Sequence, residues 1–143
     1  MDRRKALKVA VFGGAAVSVG TPLWAASTSM SEVSRSLAGK LYYTEDHPGR
    51  WKGKAKGHAP RVKVETDGAD QLVKIVTAHP MSFEHHIVKH ILLDRHLDLL
   101  GEQVFDISFD LPQSQFPLSG YRGRLYALSV CNLHDTWISE LEV

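Results

Sequence analysis

The 143-residue sequence has a single cysteine, Cys131. One cysteine excludes an intramolecular disulfide, and it also excludes four-cysteine zinc sites and rubredoxin-type iron sites. A large charge of either sign is also missing, since the formal net charge of +1 argues against bulk binding of nucleic acid. Histidine, by contrast, is abundant: eight in so short a chain exceed what solubility or packing would require. The histidines are therefore the first candidates for a functional site.

The N-terminal segment, residues 1–26, differs in composition from the rest of the chain. Residues 1–8 (MDRRKALK) are basic, and residues 9–26 are apolar, uncharged and end in small residues suited to signal cleavage. The pair Arg3-Arg4 before a mildly apolar stretch predicts a twin-arginine signal peptide. A plain secretory signal or an uncleaved anchor is the alternative. We expect a periplasmic or exported protein with no stable membrane insertion after cleavage.

The rest of the chain favours one all-β domain. Residues 27–49 are predicted to be a flexible lead-in and first strand, and residues 50–143 a single domain. Short alternating apolar runs predict strands at 61–65, 72–76, 87–93, 103–111, 124–130 and 137–143. A turn at 66–71, an extended hairpin at 94–103 and a loop at 112–123 are expected between them. This pattern predicts an antiparallel β-sandwich or barrel.

Three segments contain the histidines that share motifs. They are GHAP, AHPMSFEHH and CNLHDTW, which contain His58, then His79, His85 and His86, then Cys131 and His134. Each lies at a predicted strand edge or loop, where a rigid β scaffold can direct side chains to one point. Because adjacent residues of an extended segment point to opposite faces, only one of the neighbouring histidines at 85 and 86 should reach a shared metal.

The residue types in these segments suggest a redox metal. Structural zinc is normally satisfied by four ligands, and four imidazoles with one thiolate exceed that number. Such a set suits a metal that keeps a further coordination position open. Iron is the natural candidate because imidazole and thiolate both bind it.

The motifs His-x-Pro, His-Pro-x-x-x-Glu-His-His and Cys-Asn-x-His-x-x-Trp, in this order, resemble those of superoxide reductases of the desulfoferrodoxin and neelaredoxin family. The resemblance covers roughly residues 50–143 and implies an immunoglobulin-like antiparallel β-sandwich with one mononuclear iron. Carried over position by position, it implies that the iron ligands are His58, His79, His85, Cys131 and His134. The family uses the histidine directly after the glutamate, which selects His85 over His86.

The resemblance also implies an activity. Proteins of this family reduce superoxide by one electron to hydrogen peroxide, and an external electron donor protein then re-reduces their iron. With one cysteine, the chain cannot build the second, rubredoxin-like iron centre of desulfoferrodoxins, so it is similar to the single-iron, neelaredoxin-like branch. A homo-oligomer is a further expectation.

One departure from the family pattern concerns the residues before His58. Family members commonly have Glu-Lys there, whereas this chain has Lys56-Gly57. We expect Lys56 to attract superoxide, with Lys54 as its substitute. Both belong to a basic run with no acid inside it: Arg50, Lys52, Lys54, Lys56, Arg61 and Lys63. An ordinary solvated loop is the alternative interpretation of this run.

Two other functions are compatible with parts of the pattern. A cupredoxin-like copper electron carrier, or an iron electron-transfer protein without reductase activity, would also use a late Cys and His. However, no Met follows Cys131, and two additional histidines would lack a role in a copper site. A non-catalytic sandwich with a structural metal and a protein partner is the third interpretation.

Residues outside the predicted ligand set have more ordinary interpretations. His47, His90 and His96 have no motif partners and are predicted to be surface or packing residues. Trp137 is expected to pack beside the site or in the core, or to shield the iron. Glu84 either orients a ligand imidazole or lies on the surface.

Overall fold

The computed structural model describes residues 36–143, so the predicted signal peptide, residues 1–26, lies outside the described residues. Directly before the first strand lie a 3-10 turn, Gly49–Trp51, and a short helix, α1, Ala55–His58. The strands are β1 Arg61–Asp67, β2 Asp70–Val76, β3 Ile87–Leu93, β4 Leu99–Val104, β5 Gln113–Ser119, β6 Arg124–Cys131 and β7 Asp135–Glu142. Within the described range, every helix is too short or too polar to span a bilayer.

The strands form two antiparallel sheets. One has the order β1-β2-β5 and the other the order β4-β3-β6-β7. Alternate side chains of both sheets meet in one core, which includes Val73 and Ile75 from β2, Leu92 from β3, and Leu125 and Ala127 from β6. Such alternation is what an antiparallel sandwich requires, because one face of each sheet is buried. The predicted all-β sandwich is therefore confirmed.

The segment 103–113 departs from the prediction. Its apolar alternation predicts a strand over 103–111, but β4 ends at Val104 and a turn follows. The carboxylates of two aspartates favour that turn: Asp106 accepts from the backbone N–H of Ser108, and Asp110 accepts from that of Asp106. Such local side-chain bonds compete with a strand ladder. As a result, Phe109 is 87% exposed although the alternation placed it on a buried face.

The predicted loop at 112–123 is also wrong in part, because β5 occupies Gln113–Ser119. Its glutamines, serines and Pro117 are typical of a loop, yet Ser114 and Phe116 face the core in strict alternation. Among the described strands β5 pairs with β2 alone, so it is an edge strand, and Pro117 can lie there because a missing N–H is tolerated at an edge. The turn predicted at 66–71 is shorter in the structure than in the prediction, because the pairing of β1 with β2 extends as far as Asp67 and Asp70.

The hairpin predicted at 94–103 is confirmed. The Asp94 carboxylate accepts from the backbone N–H groups of His96 and Asp98, and Leu97 adopts a positive φ of 68° in the tight turn. The chain then continues as β4 from Leu99.

Tyr43 attaches the segment before residue 50 to the sandwich. Its backbone N–H donates to Thr136 at 2.9 Å, and the Ile138 N–H donates to the Tyr43 carbonyl at 2.8 Å. The side chain is 2% exposed and its ring lies 5.7 Å from that of Trp137. This short parallel contact places Tyr43 beside β7.

A buried polar network joins the two sheets. His90 of β3 is fully buried, with Nε2 2.9 Å from the Thr77 hydroxyl and Nδ1 2.9 Å from the Ser114 hydroxyl. Thr77 also donates to the Ser129 hydroxyl of β6 at 2.9 Å. His90 is thus a packing residue whose polar atoms are satisfied, as buried polar groups require.

Candidate metal centre

The five predicted ligands lie at one end of the sandwich, where several strands begin or end. His58 is the last residue of α1, directly before β1, and His79 follows the end of β2. His85 precedes β3, Cys131 is the last residue of β6, and His134 lies in the turn before β7. Because neighbouring strands are antiparallel, the start of one strand lies beside the end of the next, and these positions meet at the same end of the sandwich.

Four of these side chains form a compact cluster. The ligand atoms of His58, His85, Cys131 and His134 all lie within 4.8 Å of one another. His79 joins the cluster through His85, since their Nε2 atoms are 3.0 Å apart. The structure therefore brings all five predicted residues together. That they bind iron stays a prediction.

The hydrogen-bond capacity of the imidazoles indicates that a cation fits between them. His85 Nε2 has three nitrogen neighbours: His58 Nε2 at 3.4 Å, His79 Nε2 at 3.0 Å and His134 Nδ1 at 2.9 Å. One ring nitrogen offers a single proton or a single lone pair, so it cannot satisfy three partners. A metal ion accepts several lone pairs at once. The Cys131 sulfur, 3.7 Å from His134 Nδ1, adds a thiolate donor.

Two of the imidazoles are held in the tautomer that a ligand needs. His58 Nδ1 lies 2.8 Å from the Lys54 carbonyl, and His79 Nδ1 bonds to the Pro80 carbonyl. Since a carbonyl only accepts, each Nδ1 carries the proton and each Nε2 presents a lone pair to the cluster. Metal-binding histidines usually have such a partner on the outer nitrogen.

The imidazoles of the cluster are also kept neutral. Burial lowers the pKa of His58, His85 and His134, and it lowers the pKa of His79 to about 4. Neighbouring imidazoles lower these pKa values further, because two protonated rings in contact would repel each other. Neutral imidazole is the form that binds a metal.

Lys54 is the lysine whose charge acts on the cluster. After burial, which is the largest cause, its positive charge also lowers the pKa of His58, His85 and His134. Lys54 and Lys56 are both exposed, and Lys56 lies in α1. The charge of Lys54 is the lysine charge that acts on these three imidazoles, and the predicted role of Lys56 stays a prediction.

Asn132 holds two of the ligand segments together. Its side-chain N–H donates to the Glu84 carbonyl at 3.0 Å, and its side-chain oxygen accepts from the His86 backbone N–H at 2.9 Å. These bonds fix the His85 segment against the turn after Cys131. His86 itself turns away, with Nδ1 2.9 Å from the Ser82 carbonyl, as the opposite-face argument predicts. Asn132 was visible in sequence only as a part of the third motif.

Aromatic rings cover one side of the cluster. Trp137 is fully buried, its indole N–H donates to the His134 carbonyl at 2.9 Å, and its ring lies 5.8 Å from that of His58. This confirms the expectation that it packs beside the site. Trp51, which no motif singled out, lies edge-on to His134 with ring centres 4.6 Å apart.

The remaining candidates lie outside the cluster. The side chain of Glu84 is exposed, as are His47 and His96.

Comparison with known proteins agrees with this geometry. The family model described as desulfoferrodoxin matches residues 50–140. The superoxide reductase of Pyrococcus abyssi is 33% identical over 110 residues, which is 66% of this chain and 92% of the relative. The superoxide reductase of Thermococcus kodakarensis is 33% identical over 108 residues, 65% of this chain and 90% of the relative.

Solved structures give the same result. The superoxide reductase (neelaredoxin) from Ignicoccus hospitalis has a TM-score of 0.62 and 27% identity, over 73% of this chain and 95% of that one. A superoxide reductase in the oxidised state has a TM-score of 0.58 and 26% identity, over 72% and 96%. With the family match extending over most of the sequence and over every residue of the cluster, the chain belongs to the desulfoferrodoxin family.

Proposed function

We propose that this protein is a superoxide reductase, which reduces superoxide by one electron to hydrogen peroxide at a mononuclear non-haem iron. The observation that carries the proposal is the convergence of His58, His85, Cys131 and His134 within 4.8 Å, with His79 in contact with His85. The relatives and similar structures are named superoxide reductases, which supports the same activity here.

The five side chains would hold the iron through four neutral imidazoles and one thiolate. Iron held by these residues would supply the electron that, with two protons, converts superoxide to hydrogen peroxide. Thiolate is a strong electron donor to a metal, and the Cys131 side chain is buried at 4% exposure, so water does not reach its sulfur freely.

Lys54 takes the part of the lysine that attracts the anionic substrate. Its charge reaches three of the imidazoles, and it lies in the basic run between Arg50 and Lys63. A positive patch at a site entrance raises the association rate of an anion by roughly 10- to 1,000-fold at low salt. Lys56 is the alternative, because it lies nearest in sequence to the position of the lysine in related proteins. Comparison of Lys54→Ala with Lys56→Ala distinguishes the two lysines.

The electron donor is proposed to be a separate protein that docks over the ligand turns. Phe83, between His79 and His85, is 80% exposed, and Leu133, between Cys131 and His134, is 53% exposed. Exposed apolar side chains within the ligand segments would provide a small contact area of the kind that transient redox encounters use.

We further propose export through the twin-arginine route, on the basis of the Arg3-Arg4 pair and the apolar stretch that follows it. Replacing both arginines with Lys should leave the precursor in the cytoplasm. Unchanged export of this variant would indicate the general secretory route.

The central experiment combines metal analysis, an optical spectrum and pulse-generated superoxide. Wild-type protein should contain about one iron per chain, show a thiolate-to-ferric absorption band when oxidised, and be oxidised rapidly by superoxide in its ferrous form. Cys131→Ser should abolish the band, because the sulfur is its electron donor. A blue-copper band, a colourless metal, or ferrous protein that does not react with superoxide would each contradict the proposal.

A further inference from the structure

Asp135, the residue after His134, has a left-handed backbone with a φ of 60°. Aspartate adopts this region more readily than most residues with a Cβ, but the region is uncommon for any residue other than glycine. Residues held in such conformations persist only when their surroundings fix them, and they are concentrated at functional sites. The contacts of the Asp135 side chain should therefore explain why it is held there.

The Asp135 carboxylate binds two residues from the segment before α1. Its Oδ2 atom accepts from the Trp51 indole N–H at 2.8 Å and from the Arg50 guanidinium at 2.5 Å. The Arg50 guanidinium also lies 4.9 Å above the Trp51 ring. We name these three residues the Asp135 clasp. It joins parts of the chain that are 84 and 85 positions apart.

The clasp fixes the ring that covers His134. Trp51 and the His134 imidazole are perpendicular, with an interplanar angle of 90° and ring centres 4.6 Å apart. An indole can rotate about its side-chain bonds, and the hydrogen bond from its N–H to Asp135 selects one orientation. In that orientation the indole blocks rotation of the imidazole on this side. His134 Nδ1 meanwhile faces His85 Nε2 at 2.9 Å.

Stability alone does not account for the clasp. The Arg50 and Asp135 side chains are 64% and 38% exposed, and ion pairs with such exposure add little to folding. An arrangement with a small net effect on folding, located one residue from a metal-ligand candidate, is better explained by the geometry that it imposes.

We propose that Asp135 is a positioning residue: through Trp51 it holds the His134 imidazole in its metal-binding orientation and closes that side of the site. The inference rests on the proposed iron site, and it assigns a role to Trp51, which lies outside the ligand motifs, and to Asp135, an unspecified position within the third motif.

Three substitutions separate the hydrogen bond from the backbone conformation. Asp135→Gly removes the carboxylate but favours the positive φ, so it should not strain the turn. Asp135→Asn keeps an oxygen acceptor for the indole N–H and tolerates the same φ. Trp51→Phe keeps an aromatic ring near His134 but has no N–H to donate.

Arg124→Ala is the matched control. Arg124 forms exposed ion pairs with Glu140 and Glu142 in the same β6–β7 hairpin, far along the strands from the cluster. It therefore reports what the loss of a surface ion pair does by itself.

Two measurements on iron-loaded protein test the inference: the rate at which ferrous iron is lost to bipyridine, and the electron paramagnetic resonance spectrum of the ferric form. Asp135→Gly and Trp51→Phe should each lose iron about fivefold faster, the effect of one net hydrogen bond. Both should shift the rhombicity of the ferric signal in the same direction. The double variant should be no faster than either single variant, because both remove one interaction. Asp135→Asn and Arg124→Ala should match wild type.

Wild-type spectra and iron-loss rates in Asp135→Gly would overturn the inference while leaving the proposed function intact. Additive effects of the two substitutions would overturn it as well, since they would indicate independent roles. A wild-type protein that takes up no iron would overturn the proposed function and this inference with it.

Discussion

Replacement of His90 with Gln should remove part of the protein's sensitivity to acid. His90 is fully buried between the two sheets, and burial lowers its pKa from 6.5 to about 4. Its polar contacts are the neutral hydroxyls of Thr77 and Ser114. Glutamine keeps a donor and an acceptor but cannot take up a proton in this range.

The direction and the magnitude of this stability change follow from the pKa of His90 in the unfolded chain, 6.5, and in the folded protein, about 4. Below pH 6.5 the unfolded chain binds a proton at this histidine that the folded protein does not, so the folded state loses stability as the pH falls toward about 4. Above 6.5 the contribution is fully present. The whole shift corresponds to about 3.4 kcal/mol, of which about 2 kcal/mol is lost between about pH 7 and about pH 5.

Urea unfolding of wild type and His90→Gln at both pH values measures this effect. The ligand imidazoles titrate in both proteins, so their contribution cancels in the difference between them. Whatever the stability of the variant at neutral pH, its free energy of unfolding should fall by about 2 kcal/mol less on acidification than that of the wild type. Equal losses in the two proteins would refute the reasoning, because His90 would then titrate similarly when folded and unfolded.

Three further substitutions test other parts of the structure. Lys54→Ala should slow oxidation of the ferrous protein by superoxide and make the rate less dependent on salt, whereas Lys56→Ala should change the rate and its salt dependence much less. Stopped-flow or pulse-radiolysis measurements give these rates. A larger effect of Lys56→Ala would assign the role to Lys56. Gly101→Ala should lower the free energy of unfolding by about 1–3 kcal/mol, because the new Cβ would lie 2.4 Å from Phe116 Cδ1, and an unchanged denaturation midpoint would show that the ring moves aside. His86→Gln should keep about one iron per chain by metal analysis, since its ring lies outside the cluster, and loss of the metal would make it a ligand.

Local pattern was sufficient for most of the fold. The alternation of RVKVE and the apolar run IVKHILL predicted β1 and β3 because side chains of these strands alternate between the core and the surface. Local pattern failed to predict the strand boundaries where side-chain hydrogen bonds or an edge position in the sheet decided the structure. Aspartate carboxylates ended β4 early, and a polar segment with Pro117 became β5 because an edge strand tolerates it.

In the candidate site, too, some residues could be predicted from local sequence and others could not. Its five predicted ligands lie in motifs short enough to be read from sequence, and the structure brings them together. Trp51 belongs to no motif, and Asp135 occupies an unspecified position of the third motif. Their hydrogen bond joins positions 84 residues apart, so no local pattern indicates it. The same holds for the His90 network, whose members come from four separate segments. Contacts of this kind depend on how the strands are paired, which local pattern does not specify.

The spread of the ligand cluster along the chain has a consequence for how the protein matures. His85 and His134, whose nitrogens are 2.9 Å apart, are separated by 49 positions, and they meet only after β3 has paired with β6. Long-range strand pairing of this type forms slowly compared with local turns. A partly folded chain therefore offers scattered, weak donors, and these ligand atoms come together only once β3 and β6 have paired. Metal uptake would then act as a checkpoint, since only finished molecules could hold the ion.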